Sequence, residues 1–218
     1  MNDLIKRYLT FTFGLYVLTL GVVMIIKASL GTSPISSFTY VLSLHTPLTI
    51  GMATILLNLF LIVGEFWFIR DRLNRKDVFE ILMQLPFSLV FGVFIDLNMW
   101  LLAGVAPSGY MLCLGLLVAG CMIQAAGVAL EIKPNVVKMS AEGFVNYASL
   151  RYRKDFGRVK IVFDISLVLL AVATSFYFVQ GVEGVREGTI VSAISVGTLV
   201  TLINRVAARF SAAKAHQV

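Results

Sequence analysis

The sequence predicts an all-α polytopic membrane protein: six transmembrane helices plus two short re-entrant or interfacial helices, arranged as an inverted 3+3 repeat. Three observations lead there. The chain is 58% hydrophobic and 14% charged, with a mean hydropathy of +0.88. A soluble domain carries about a quarter charged residues, so this much apolar surface needs the bilayer as its solvent. Six segments, at about 8–27, 49–69, 78–102, 109–130, 157–180 and 186–206, are long and apolar enough to cross it. Finally, Gly21-Val22-Val23-Met24-Ile25-Ile26-Lys27 recurs as Gly127-Val128-Ala129-Leu130-Glu131-Ile132-Lys133, an offset of 106 residues. The same offset relates Gly14 to Gly120, Phe38 to Phe144, Ser43 to Ser149, Leu44 to Leu150, Gly51 to Gly157, Ile55 to Ile161 and Leu61 to Leu167. A constant, gap-free offset with matching hydropathy reads as an internal duplication, 8–102 against 109–206, within a single membrane domain spanning 1–218.

The first span follows Lys6 and Arg7, as a signal peptide would. It is longer than a signal core and has an internal copy, so it reads as a retained helix. Basic residues then mark alternate connections. Arg70, Arg72, Arg75 and Lys76 follow the second span. Lys133, Lys138, Arg151, Arg153, Lys154 and Arg158 follow the fourth, and Arg205, Arg209 and Lys214 the sixth. The connections 28–48, 103–108 and 181–185 are poor in them. Lys and Arg collect in cytoplasmic loops, so both termini are expected in the cytoplasm. The net charge of +6 is spent on orientation, and no nucleic-acid partner is expected. Three spans per copy is an odd number, so the second copy enters the membrane from the opposite side.

Each copy's first span leads into a short polar segment. The first, 33–44, opens on Thr32 or Ser33 as N-cap with Pro34 in the first turn. The second, 135–149, opens on Asn135. Neither is long or apolar enough to cross. In the third span Pro86 should kink the helix. The sixth carries Ser192, Ser195, Gly197, Thr198 and Thr201, small residues suited to close packing. Trp67, Trp100, Tyr110, Phe176 and Tyr177 fall near span ends as interfacial anchors.

An apolar span, then Ala28-Ser29-Leu30-Gly31-Thr32-Ser33-Pro34, a short helix and two more spans resembles the YczE-like branch of the YczE/YitT family of bacterial integral membrane proteins. The resemblance covers nearly the whole chain and is most specific from Leu30 to Pro34. Gly188-Thr189 and Gly197-Thr198 are similar to the family's glycine pattern in the last span. The second half departs: Val136-Val137-Lys138-Met139-Ser140 stands where a glycine-rich turn would be. The resemblance implies a bacterial cytoplasmic (inner) membrane location and a transport or accessory role.

Helix N-termini inside a bilayer present unpaired N–H groups and about half a positive charge, which transporters use to hold anionic groups. Lys27 precedes Thr32 and Ser33; Lys133 and Lys138 flank Asn135. With Asn58 and Gln124, these eight residues are the candidate substrate-binding set, for a small anionic or zwitterionic ligand. The plainer role for Lys27 and Lys133 is to snorkel to the interface. Asp164, matched with Asn58 across the duplication, is the candidate ion-coupling residue; its plainer role is a pair with Lys160 one turn back. Glu131 and Glu142 replace Ile25 and Ser36 of the first copy, and Glu65 and Glu80 read as interfacial.

Cys113 and Cys121, eight residues apart on one helix, lie roughly 12 Å from each other, too far for a disulfide. His45 and His216 lack metal-spaced partners, so no metal or cofactor is expected. No catalytic motif is present, which points away from an enzyme. The leading expectation is a small secondary transporter or facilitator. The alternatives are a non-transporting accessory or regulatory protein for a cytoplasmic enzyme, docked on Arg151–Arg158, or a channel. A chain of 24.0 kDa suits a homodimer, although no sequence feature marks a dimer face.

Overall fold

The computed structural model describes residues 3–71, 74–134 and 136–215. Among them the chain is all-helical: α1 (Asp3–Lys27), α2 (Pro34–His45), α3 (Ile50–Ile69), α4 (Arg75–Leu101), α5 (Tyr110–Ile132), α6 (Ser140–Tyr152), α7 (Phe156–Val179) and α8 (Glu187–Ala215). Five of these, α1, α3, α4, α5 and α7, are long and apolar enough to cross a membrane. The described apolar part of α8, Glu187–Ile203, falls short of that length. Apolar side chains cover the outward faces, among them Phe60, Val93, Trp100, Leu169 and Tyr177. An apolar outer surface on apolar helices is that of a membrane protein.

The centre of the fold is the α1/α5 pair. A Cβ built on Gly14 would meet Glu131 N at 2.7 Å, and one on Gly21 would meet Gln124 N at 2.3 Å. Cβ atoms on Gly127 and Gly120 would meet Leu18 N at 2.3 Å and Ile25 N at 3.0 Å. As the number rises from 14 to 25 along α1, the partner falls from 131 to 120 along α5. The two helices are therefore antiparallel, and four glycines let their backbones touch.

The remaining helices pack around this pair. α4 and α8 lie against α1 and α5 respectively; α3 and α7 each pack with α2 and with α6. α3 also packs along α4, with Thr49 Oγ1 and Gly51 N donating to Asp96 Oδ2 (2.6 Å) and Oδ1 (2.8 Å). Asp96 thus occupies the positive end of α3, where a carboxylate satisfies unpaired N–H groups. α4 runs unbroken through Pro86 from its N-cap Asn74.

The short helices start level with the middle of α3. Ile35 and Phe38 of α2 and Ala141, Phe144 and Val145 of α6 share one cluster with Leu57 and Leu61 of α3 and Phe163 and Leu167 of α7. Leu57 and Leu61 lie midway along α3. From there α2 runs to the start of α3, where His45 stacks on Phe178 at 5.2 Å and bonds Glu183 at 3.0 Å. α6 runs to the other end of α3, where Arg151 pairs with Asp71 and the Tyr152 ring meets Phe68. At ~1.5 Å per residue, 12 or 13 residues cover under two-thirds of a ~30 Å hydrocarbon core.

The two short helices begin differently. α2 has Ser33 as N-cap and Pro34 at its first position. α6 begins at Ser140, five residues later than expected, with Met139 as N-cap. The β-branched pair Val136-Val137 favours extended backbone over a first helical turn. Asn135 and His216 lie outside the described residues.

Candidate functional site

Two polar regions lie inside this frame. The first is at the C-terminal end of α1. Here a cavity of about 670 Å³ has Lys27, Ser29, Tyr40, Ser43, Thr49 and Asp96 in its wall. A neighbouring cavity of about 600 Å³ shares Ile26, Ser29, Tyr40 and Leu44 with it and adds Thr32, Glu183 and Arg186. Lys27 is partly buried, and its ammonium makes no ion pair among the described residues. Asp96 is occupied by the start of α3, and Glu183 by His45. Burial first, and the Glu183 carboxylate second, push the Tyr40 phenol up, so it stays a hydroxyl donor. Arg186 faces Glu187 at 3.8 Å and donates to Ser29 O at 3.2 Å, so the cationic group left over is Lys27, beside several hydroxyls.

The loop between α1 and α2 is fixed by the start of α8. Gly188 N donates to Leu30 O at 2.7 Å, and Thr32 N to Thr189 Oγ1 at 3.2 Å. Gly31 has φ +122°, and a Cβ there would lie 2.6 Å from Thr189 Oγ1, so only glycine fits this turn. Thr32 Oγ1 spans Ser37 Oγ (2.9 Å) and Gly184 O (3.1 Å), and Ser33 Oγ donates to Ser36 Oγ at 2.9 Å. The start of α2 is a nest of hydroxyls tied to one another.

The second region surrounds the start of α6, and it is charged. Glu131 is buried on α5 and lies within electrostatic reach of Glu142. Glu142 also feels Lys160, Asp164 and Lys138. Lys160 and Asp164 form an i,i+4 ion pair on α7. Ser140 and Ser88 share a hydrogen bond of 3.3 Å. Glu65 of α3 is fully buried and accepts from Gln84 Nε2 at 2.8 Å.

The candidate residues separate accordingly. Lys27 and Thr32 line adjoining cavities, with Ser33 buried beside them. Lys133 caps the far end of α5 and is exposed, as is Lys138. Since Gly14 faces Glu131, the level of Lys133 on α1 is roughly 15 residues before Lys27, or roughly 20 Å away. The lysines do not converge on one pocket. Among the described residues, buried Asn58 has no partner for its Nδ2, and the buried Oε1 of Gln124 has none either. Asp164 is held by Lys160.

The Glu65–Gln84 pair was hidden by distance along the chain. A signal was present: Gln84 falls in the stripe Ile81, Gln84, Ser88, Gly92, Ile95, Asn98, all buried, and Glu65 in the buried stripe Thr54, Asn58, Leu61, Glu65, Ile69. Polar residues on a buried helical stripe need partners on a neighbouring helix.

A model of a family of unknown function, DUF6198, matches residues 5–205. No curated protein and no solved structure matches the chain significantly.

Proposed function

We propose that this chain, which belongs to the DUF6198 family of unknown function, is a small secondary transporter or facilitator for an anionic or zwitterionic metabolite. In this reading it comprises two inverted repeats, 8–102 and 109–206, with six crossings once α8 is counted and both termini in a bacterial cytoplasmic membrane. The carrying observation is the geometry of the short helices, each starting level with the middle of α3 and leaving toward an opposite end of it. Transporters built from inverted repeats hold substrate at such helix starts.

The packing supports the inversion. α1 and α5 are antiparallel, which needs an odd number of crossings from α1 through α4. α1, α3 and α4 supply three if α2 turns back. Contacts also exchange under the 106-residue offset: Gly14 against Glu131 corresponds to Gly120 against Ile25. The cluster of Leu57, Leu61, Phe163 and Leu167 maps onto itself. The resemblance to the YczE-like branch belongs to the same proposal, carried by Ala28–Pro34.

Substrate enters the cavity at the end of α1, where Lys27 meets its carboxylate and Tyr40 and Ser43 its polar groups. A panel of small carboxylates and amino acids, tested first by thermal shift and then by uptake into proteoliposomes, checks this. A saturable uptake that Lys27→Ala abolishes supports it. A conductance independent of ligand points to a channel. No uptake of any compound, with a soluble enzyme co-purifying, points to the accessory role.

A further inference from the structure

A carboxyl and an amide meet in the interior where α3, α4 and α6 come together. Glu65 has no exposed surface and Gln84 has 2%. Their single mutual bond uses Gln84 Nε2 and Glu65 Oε2. Glu65 Oε1 and Gln84 Oε1 are both shut off from solvent, and both lack a partner among the described residues. Each orphan is an acceptor, so the pair is short of a donor. A Cβ on Gly143 would stand 2.5 Å from Glu65 Oε1 and 2.8 Å from Gln84 Nε2, so α6 presents a glycine to make room for the pair.

Inside the bilayer an ionised carboxylate with one neutral hydrogen bond carries a heavy desolvation cost. A proton on Glu65 removes that charge and supplies one missing donor. We propose that Glu65 and Gln84 form a proton-binding site of the membrane interior. The charged and titratable groups around it are few. Lys138, on the approach to α6, acts on Glu65. Tyr147 of α6 lies within reach of Glu65 and of Asp77 and Glu80 on α4. When the proton leaves, Lys138 is the cation at hand to balance the carboxylate. This differs from Asp164, whose counter-ion is a fixed lysine one turn away. As a site of energy coupling, Glu65 rests on the transporter reading; as a proton site it does not.

The test needs no substrate. The full chain in nanodiscs is titrated between acidic and alkaline buffer, and infrared difference spectra are taken in H2O and D2O. The expected result is a protonated-carboxyl C=O band that titrates with pH, shifts in D2O and disappears in Glu65→Gln. Gly143→Ala, which presses on the ends of both side chains, keeps the band but moves its frequency. The proposal is overturned if no titrating band depends on Glu65, or if Gly143→Ala leaves the band in place. It is also overturned if the Glu65 band responds to exchanging choline for Na⁺ at constant pH rather than to pH itself.

Discussion

Lys27 and Lys133 stand at matching places in the duplicated stretch, yet their surroundings differ. Lys27 borders a cavity and makes no ion pair among the described residues; Lys133 is exposed at the end of α5. A charge-assisted hydrogen bond is worth ~1.5–3 kcal/mol, so Lys27→Ala should weaken carboxylate binding about tenfold or more. Lys133→Ala should leave it within about twofold; thermal-shift titrations with the same ligands measure both. The aspartates also part company. Asp96 caps α3 through two bonds, and Asp96→Ala should cost ~1–2 kcal/mol, read as a lower melting temperature in detergent. Asp164→Asn removes an i,i+4 pair worth ~0.3–0.5 kcal/mol, so the melt should barely move. A loss of uptake in that variant would then report on coupling and not on folding.

At the scale of elements, the α1/α5 pair sets the frame. Its glycines leave no room for a side chain, because the neighbours are backbone atoms that cannot rotate away. Gly21→Ala and Gly127→Ala should each cost ~1–3 kcal/mol by overpacking, with larger residues preventing assembly. Gly104→Ala and Gly115→Ala, which meet nothing within 4 Å, are the controls. Monomer yield and melting temperature in detergent give the comparison. The glycine spacing was visible in the sequence. The partner helix was not, since small-residue stripes on a lone span do not say which neighbour they meet. The short helices were equally legible as elements, from Pro34 and the polarity of 135–149. Their level along α3 was not, because it depends on Leu57, Leu61, Phe163 and Leu167 meeting in one cluster.

For the whole molecule, the proposed inverted arrangement makes a prediction about sides. Leu44 and Leu150 are matched, exposed and close to the ends of α2 and α6. With Cys113 and Cys121 replaced, a cysteine at Leu44 should react with a membrane-impermeant reagent from one compartment and a cysteine at Leu150 from the other. Reaction of both from the same compartment would remove the inversion and the transport mechanism built on it.

Hydrophobic length, charge placement and a repeated stretch are properties of the chain itself, so the sequence alone determined a helical membrane protein with two short polar helices. Which polar residues share a site is a matter of distance between helices. Glu65 and Gln84 are 19 residues apart in sequence yet within 2.8 Å, while Lys27 and Lys133 match in sequence and lie roughly 20 Å apart. Only tertiary packing decides such pairings, because a buried polar atom takes its partner from whichever helix the close-packed glycines and side chains bring alongside.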